Sequence, residues 1–352
     1  VIASDAPLAG NAARLAALLA LSVLLLLVTL LAGTAIGETS IPLQTVVMAL
    51  DNRLFGADHL IDKIDEGIIW SYRLPRAITA ACCGAALALS GVVLQSLLRN
   101  PLAEPYLLGI SAGASTGAVL VTLGGLGAGA ISMSLGALAG GITAFAVVAL
   151  LATASGAGHA ARASGQIILA GIAGSQMFNA LTSFLITRSA NSEQARGIMF
   201  WLMGNLSGVR WDDVGLAVPV AVIGTLVCLV QMRTLDAFGF GAESAASLGI
   251  NVMRTKLLLI GTAAAMTALM VSIIGAVGFV GLVVPHAARL LFGHRHHRLV
   301  PASALMGAVF LVASDVLSRI LISGQVLPIG VITALIGAPC FGLLLLRMRR
   351  RP

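Results

Sequence analysis

Charge is what this 352-residue chain has least of. Only 10% of its residues are Asp, Glu, Lys or Arg, against roughly 25% in an ordinary soluble domain. Lysine is nearly missing: Lys63 and Lys256 are the only two. Neither follows a Gly-x-x-x-x-Gly turn, so the chain has no phosphate loop of its own with which to bind ATP. The four cysteines, Cys82, Cys83, Cys228 and Cys340, all fall in apolar stretches. Their spacing matches neither a zinc site nor a disulfide framework, and they read as small buried hydrophobes. What the chain does have is apolar surface, with 58% hydrophobic residues and a mean hydropathy of +1.01. A soluble fold of this size cannot hide so much, because about half of its surface must still face water. Soluble enzyme, nucleic-acid binder and disordered protein are therefore set aside, and lipid is the expected solvent.

Apolar runs long enough to span fall near 15–36, 74–98, 106–124, 131–154, 166–187, 213–232, 254–275, 278–293, 301–322 and 328–347. The first run is too long for a signal-peptide core. The expected fold is all-α: one polytopic domain over 1–352 with about ten transmembrane helices. Residues 37–69 are polar and are expected to form an outside segment with short helices. With the N-terminus inside and alternating spans, most of the 21 Lys and Arg residues fall inside, which puts both termini in the cytoplasm. The net charge of +7 thus orients the chain. Several outside arginines sit beside span ends.

Gly109–Ile110–Ser111–Ala112–Gly113 has the Gly-x-Ser-x-Gly form, but it opens an apolar helix and lacks the strand–turn–helix context of a nucleophile elbow. Gly109, Gly113 and Gly117 share one helix face and would let a neighbour approach closely. Asp315 and Arg319 are spaced to pair on one face. The run His294–Arg295–His296–His297–Arg298 reads as a solvated inside turn rather than a metal site. Gln176, Asn179 and Ser183 share a face of the fifth span; they either bond to another helix or line a path. Residues 237–250 are too polar to span and longer than a plain connector needs to be. They are expected to form one or two short helices for a cytoplasmic partner.

Three stretches together carry a resemblance. The first runs from Arg73–Leu74–Pro75–Arg76 through Gly84, Ser90–Gly91 and Gln95 to Asn100–Pro101–Leu102–Ala103–Glu104–Pro105 and Leu108–Gly109. The second is Gly275 to His286 with Arg289. The third is Leu327–Pro328–Ile329–Gly330 followed by Gly337–Ala338–Pro339. In this order they resemble the membrane subunit of type II ABC importers, the permease family for vitamin B12, ferric siderophores and haem. The resemblance implies ten helices per subunit, inverted repeats, and a homodimer around a central path. It also implies two cytoplasmic ATPase subunits, which hold ATP and magnesium, and a periplasmic binding protein. By position it implies docking of the binding protein at Arg73, Arg76 and Arg319. A cytoplasmic gate is implied at Asn100, Leu102, Ser164 and Gly165, although the family usually has a hydroxyl residue where Gly165 stands. Coupling to the ATPase is implied in 238–251, at Gly241, Glu243, Ser244, Ala245, Leu248 and Gly249. Gln176, Asn179 and Ser183 would line the path. Val326 departs from the glutamate common in the family before Leu-Pro-Ile-Gly.

The expected function is the permease of an ATP-driven importer in a bacterial inner membrane. It would carry an iron chelate, haem ahead of ferric siderophore, with cobalamin as the alternative. No catalytic residue, metal or cofactor is expected on this chain. An ion-coupled secondary transporter would need intramembrane carboxylates as relays, and only Asp315 qualifies. A membrane hydrolase would need a triad.

Overall fold

The computed structural model of this chain describes residues 6–37, 39–125, 131–155, 163–188, 192–322 and 324–348. The chain opens with α1 (Ala6–Ala35), whose Leu24, Leu27 and Leu31 stay exposed, as a lipid-facing helix requires. The segment expected outside folds into α2 (Leu43–Phe55) and α3 (Lys63–Ile68) over a small core of Ile41, Val46, Ala49 and Ile69. One π turn (Ile69–Arg73) leads into α4 (Leu74–Leu97), with Pro75 in the first turn where its missing N–H costs nothing.

Helix α4 is the axis of the fold, and every residue from Ala86 to Leu97 is buried. A helix apolar on all sides belongs inside a bundle. After it come a 3₁₀ turn (Pro105–Leu108), α5 (Ile110–Thr122), α6 (Met133–Ala154), α7 (Ala163–Arg188), α8 (Ser192–Leu202) and α9 (Trp211–Val230). Then follow α10 (Met232–Gly239), α11 (Ala242–Ser247), α12 (Val252–Ile274), α13 (Val280–Phe292), α14 (His296–Ile320) and α15 (Ile329–Met348). Helices α9, α12, α13 and α14 surround α4, while α5, α6 and α7 form a second group beside them.

Small residues set the spacing. A Cβ on Gly113 would lie 2.4 Å from the Gly140 carbonyl oxygen, and one on Gly117 2.0 Å from that of Gly136. The glycine face of α5 therefore meets a matching face on α6, as lipid-immersed helices without a hydrophobic drive require. Gly84 meets Gly307 and Gly91 meets Gly281 in the same way.

Seven helices among the described residues are long and apolar enough to cross a membrane. Each of the ten expected spans holds a helix; the three outside the seven are α5, α13 and α15, the last with a described apolar stretch of Ile329–Leu343, and α5 and α13 are cut short. Helices α5 and α13 have 13 residues each, about 20 Å, against roughly 30 Å of hydrocarbon. The span expected from 106 begins its α-helix only at Ile110, and the one expected from 278 begins at Val280 after irregular backbone. Phe279 there has φ 68. Gly281 lies against the Leu87 carbonyl and Gly91, which puts the start of α13 about 10–15 Å from the end of α4 at Leu97. Irregular backbone at such depth survives only when protein satisfies it.

Candidate functional site

The irregular start of α13 is satisfied by the turn that follows α4. Glu104 Oε1 accepts the Phe279 N–H at 2.9 Å, and the Tyr106 hydroxyl lies 2.7 Å from both the N and the O of Val277. Gln95 donates to the Gly281 carbonyl at 3.0 Å and accepts from Arg289 at 2.5 Å. The third stretch closes the same region from the other side. Ile329 and Gly330 donate to the carbonyls of Gly204 and Met203, each at 3.0 Å, and a Cβ on Gly337 would strike Phe279 at 2.5 Å. The three stretches are thus one interlocked unit. Sequence reasoning assigned no role to Glu104 and did not single out Tyr106.

The three arginines expected at the docking rim are largely enclosed. Arg73 and Arg319 are each only 6% exposed. Arg73 donates to the carbonyls of Ala35 and Thr39, and Arg319 to those of Gly33 and Ile36. Carbonyls at a helix C-terminus lack intrahelical donors and carry partial negative charge. Two guanidinium groups therefore cap α1. Asp315, fully buried, joins Arg319 at 2.9 Å as its spacing suggests, and also Arg76 at 2.8 Å. Arg76 reaches Ser207 as well, at 3.3 Å. These three arginines are not free groups at a surface. Nearby, Trp211 Nε1 donates to the Trp70 carbonyl at 2.9 Å, and Arg210 stacks 4.3 Å from the Tyr72 ring.

At the gate positions, Asn100 Oδ1 accepts the Leu102 N–H at 2.9 Å, and Leu102 is exposed. Gly165 is exposed in the first turn of α7, while the Ser164 side chain lies outside the described residues. Along α7 the two faces divide cleanly. Gly171, Gly174, Phe178 and Thr182 face α5, α6 and the turn before them, with Thr182 bonded to Thr116 at 2.8 Å. Gln176, Asn179 and Ser183 face outward, and their side chains have no hydrogen-bond partner within the described chain. Bonding between helices of one subunit does not explain them.

Residues 238–251 hold the end of α10 and all of α11. Gly241 at φ 114 and Gly249 at φ 80 bound the short helix. Ala245 is buried, Glu243 is exposed, and the Ser244 hydroxyl bonds back to the Phe240 carbonyl. Phe240 and Leu248, 79% and 72% exposed, project as apolar knobs.

His296 corrects the sequence reading. It is buried in the first turn of α14, not in a solvated turn. Its Nδ1 meets Asp236 Oδ1 at 2.7 Å and its Nε2 meets Ser96 Oγ at 2.7 Å. The relay ties α10 to α14 and α4. Its atoms are ordered like a catalytic triad. Ser96, however, also bonds to the Val92 carbonyl at 2.8 Å, and the backbone N–H groups around it are used inside α4, so no oxyanion donor remains there. Among the described residues no group of three His, Cys, Asp or Glu side chains could hold a metal.

A bundle with interrupted helices, an unpartnered polar face and short helices at one end is the membrane-spanning part of a transporter. The profile of the FecCD transport family matches residues 24–347, and the chain belongs to that family. It is 40% identical to the cobalamin import system permease protein BtuC of Halobacterium salinarum, over 96% of this chain and 97% of that one. It is 36% identical to the Fe(3+) dicitrate transport system permease protein FecD of Escherichia coli, over 80% and 86%. A solved transporter assigned to the metal-chelate type of ABC transporter, in an inward-facing conformation, superposes with a TM-score of 0.80 at 31% identity, over 94% of this chain and 99% of that one. The protein is the multi-pass permease subunit of a type II ABC importer.

Proposed function

We propose that two copies of this chain form the translocation path for a bulky metal chelate, between a binding protein outside and a pair of ATPases inside. The outward face of Gln176, Asn179 and Ser183 carries this reading. Unsatisfied polar groups facing hydrocarbon cost several kcal/mol each. A second copy and a water-filled path between the two would remove that cost. Such a path, polar but uncharged, suits a ligand that brings its own metal and charge.

Among chelates, cobalamin moves ahead of haem and ferric siderophore, because a cobalamin permease matches at 40% identity along nearly the whole length. ATP closes the partner ATPases, and Phe240 and Leu248 deliver that movement through α11 and α10. The relay Asp236–His296–Ser96 passes it to α4, a population shift between two packings. Asn100 and Leu102, with Ser164 and Gly165 of α7, close the inner end. Docking of the binding protein runs through the rim that Arg73, Arg76 and Arg319 brace. Both termini lie in the cytoplasm.

The test is uptake by the permease reconstituted with its ATPase and binding protein, each chelate supplied in turn. In a background with Cys82 and Cys340 replaced by Ser, Asn179→Cys should react with a membrane-impermeant maleimide and be protected by substrate. Labelling absent in every nucleotide state, or uptake by this chain alone on an ion gradient, overturns the reading.

A further inference from the structure

At the end of the bundle that bears α10 and α11 lies a cavity of about 1460 Å³. Its walls come from the end of α4, α10, the end of α13 and the start of α14. Four arginines line it, Arg99, Arg233, Arg289 and Arg295, with Asp236 as the one carboxylate. Asp236 is already committed to His296, taking both the ring N–H at 2.7 Å and the backbone N–H at 3.0 Å. None of the four arginines forms a salt bridge among the described residues.

The Arg289 wall of the cavity is built. Gln95, 4% exposed, holds Arg289 by its Oε1 while its own amide is fixed on the Gly281 carbonyl. Arg99 sits at φ 49, a left-handed conformation costly for a residue with a Cβ. With Arg289 held in place and Arg99, Arg233 and Arg295 exposed around it without a counter-charge, the four guanidinium groups suit phosphate oxygens. The volume exceeds what a lone phosphate fills, and Met232, Phe240 and Leu290 supply an apolar side. Leu290 continues into Leu291 on the outer face of α13, both 58% exposed.

We propose that this cavity binds a phosphate-bearing anion, and that its apolar flank favours the headgroup of an acidic phospholipid over free phosphate. Basic pockets between membrane helices recognise such headgroups by the same chemistry. The occupant would brace α10 against α4 and α13 from the cavity side.

The purified full chain is titrated in neutral-lipid micelles with phosphatidylglycerol, and separately with inorganic phosphate, following the melting temperature. Retained lipid is counted by native mass spectrometry. Arg233→Gln with Arg295→Gln removes two exposed guanidinium groups that bond nothing among the described residues. Phosphatidylglycerol should raise the melting temperature, and the double variant should need about twenty-five times more of it, roughly fivefold per arginine. A rise with inorganic phosphate alone, equally weakened in the variant, supports the phosphate site and assigns it to a soluble ligand. A response to phosphatidylglycerol identical in the variant overturns the proposal. So does a response to neither probe when the ATPase subunit alone stabilises the native chain and not the variant, since the cavity is then a protein dock.

Discussion

Glu104 and Phe279 are joined across 175 residues by one hydrogen bond of 2.9 Å. The carboxylate takes the N–H of a residue held at φ 68, at the point where α13 begins. Removing that acceptor leaves a partly buried donor unpaired and the left-handed turn unsupported. Glu104→Ala should cost about 2–3 kcal/mol, read as a lower melting temperature in detergent. Glu104→Gln keeps an oxygen in place and should recover most of the loss.

Gly91 and Gly165 should respond in opposite ways to the same change. A Cβ on Gly91 would sit 1.9 Å from the Gly281 carbonyl oxygen, whereas nothing lies within 4 Å of one on Gly165. Gly91→Ala has to push α13 away from α4 and should destabilise by about 2–4 kcal/mol. Gly165→Ala should be neutral or gain up to about 1 kcal/mol from helix propensity. Parallel thermal melts of the two variants check the contrast.

Asp315 sits between Arg76 and Arg319 with no exposure of its own. Asp315→Asn removes the counter-charge of two enclosed guanidinium groups and should cost about 3–5 kcal/mol. Arg73→Glu sets a carboxylate against the carbonyls of Ala35 and Thr39. That variant should lose folded protein in size-exclusion profiles before any effect on docking is measurable. Arg76→Gln is the milder probe, and binding-protein affinity at low salt is its readout.

The relay from Asp236 to Ser96 should matter for coupling more than for folding. In the complex with the ATPase, Asp236→Ala should keep ATP hydrolysis within about twofold while uptake falls about tenfold. Ser96→Ala should be milder, because the Ser96 hydroxyl is also held by the Val92 carbonyl. Equal losses of hydrolysis and uptake would assign the relay a purely structural part.

The sequence by itself determined the solvent, the all-helical class and the place of most spanning segments, but not the late starts of α5 and α13. Each is set by composition and apolar run length, which are local properties. It also determined the close face of Gly113 and Gly117, because helical spacing is fixed; Gly109, expected on the same face, stands before the helix at φ 74 and meets the Val148 side chain instead. The family resemblance was legible for the same reason, as three stretches read in order. Only the tertiary structure decided what those stretches do to one another. Whether Arg73 and Arg319 stand free or cap α1 depends on where the end of α1 comes to rest. That Asp315 serves Arg76 as well as Arg319 depends on the meeting of groups 239 residues apart. Burial of His296, which looked solvated among its charged neighbours, follows from α10 bringing Asp236 beneath it. Hydrogen bonds of this kind leave no periodic trace in the chain, since each is set by the packing of whole helices rather than by the residues beside it.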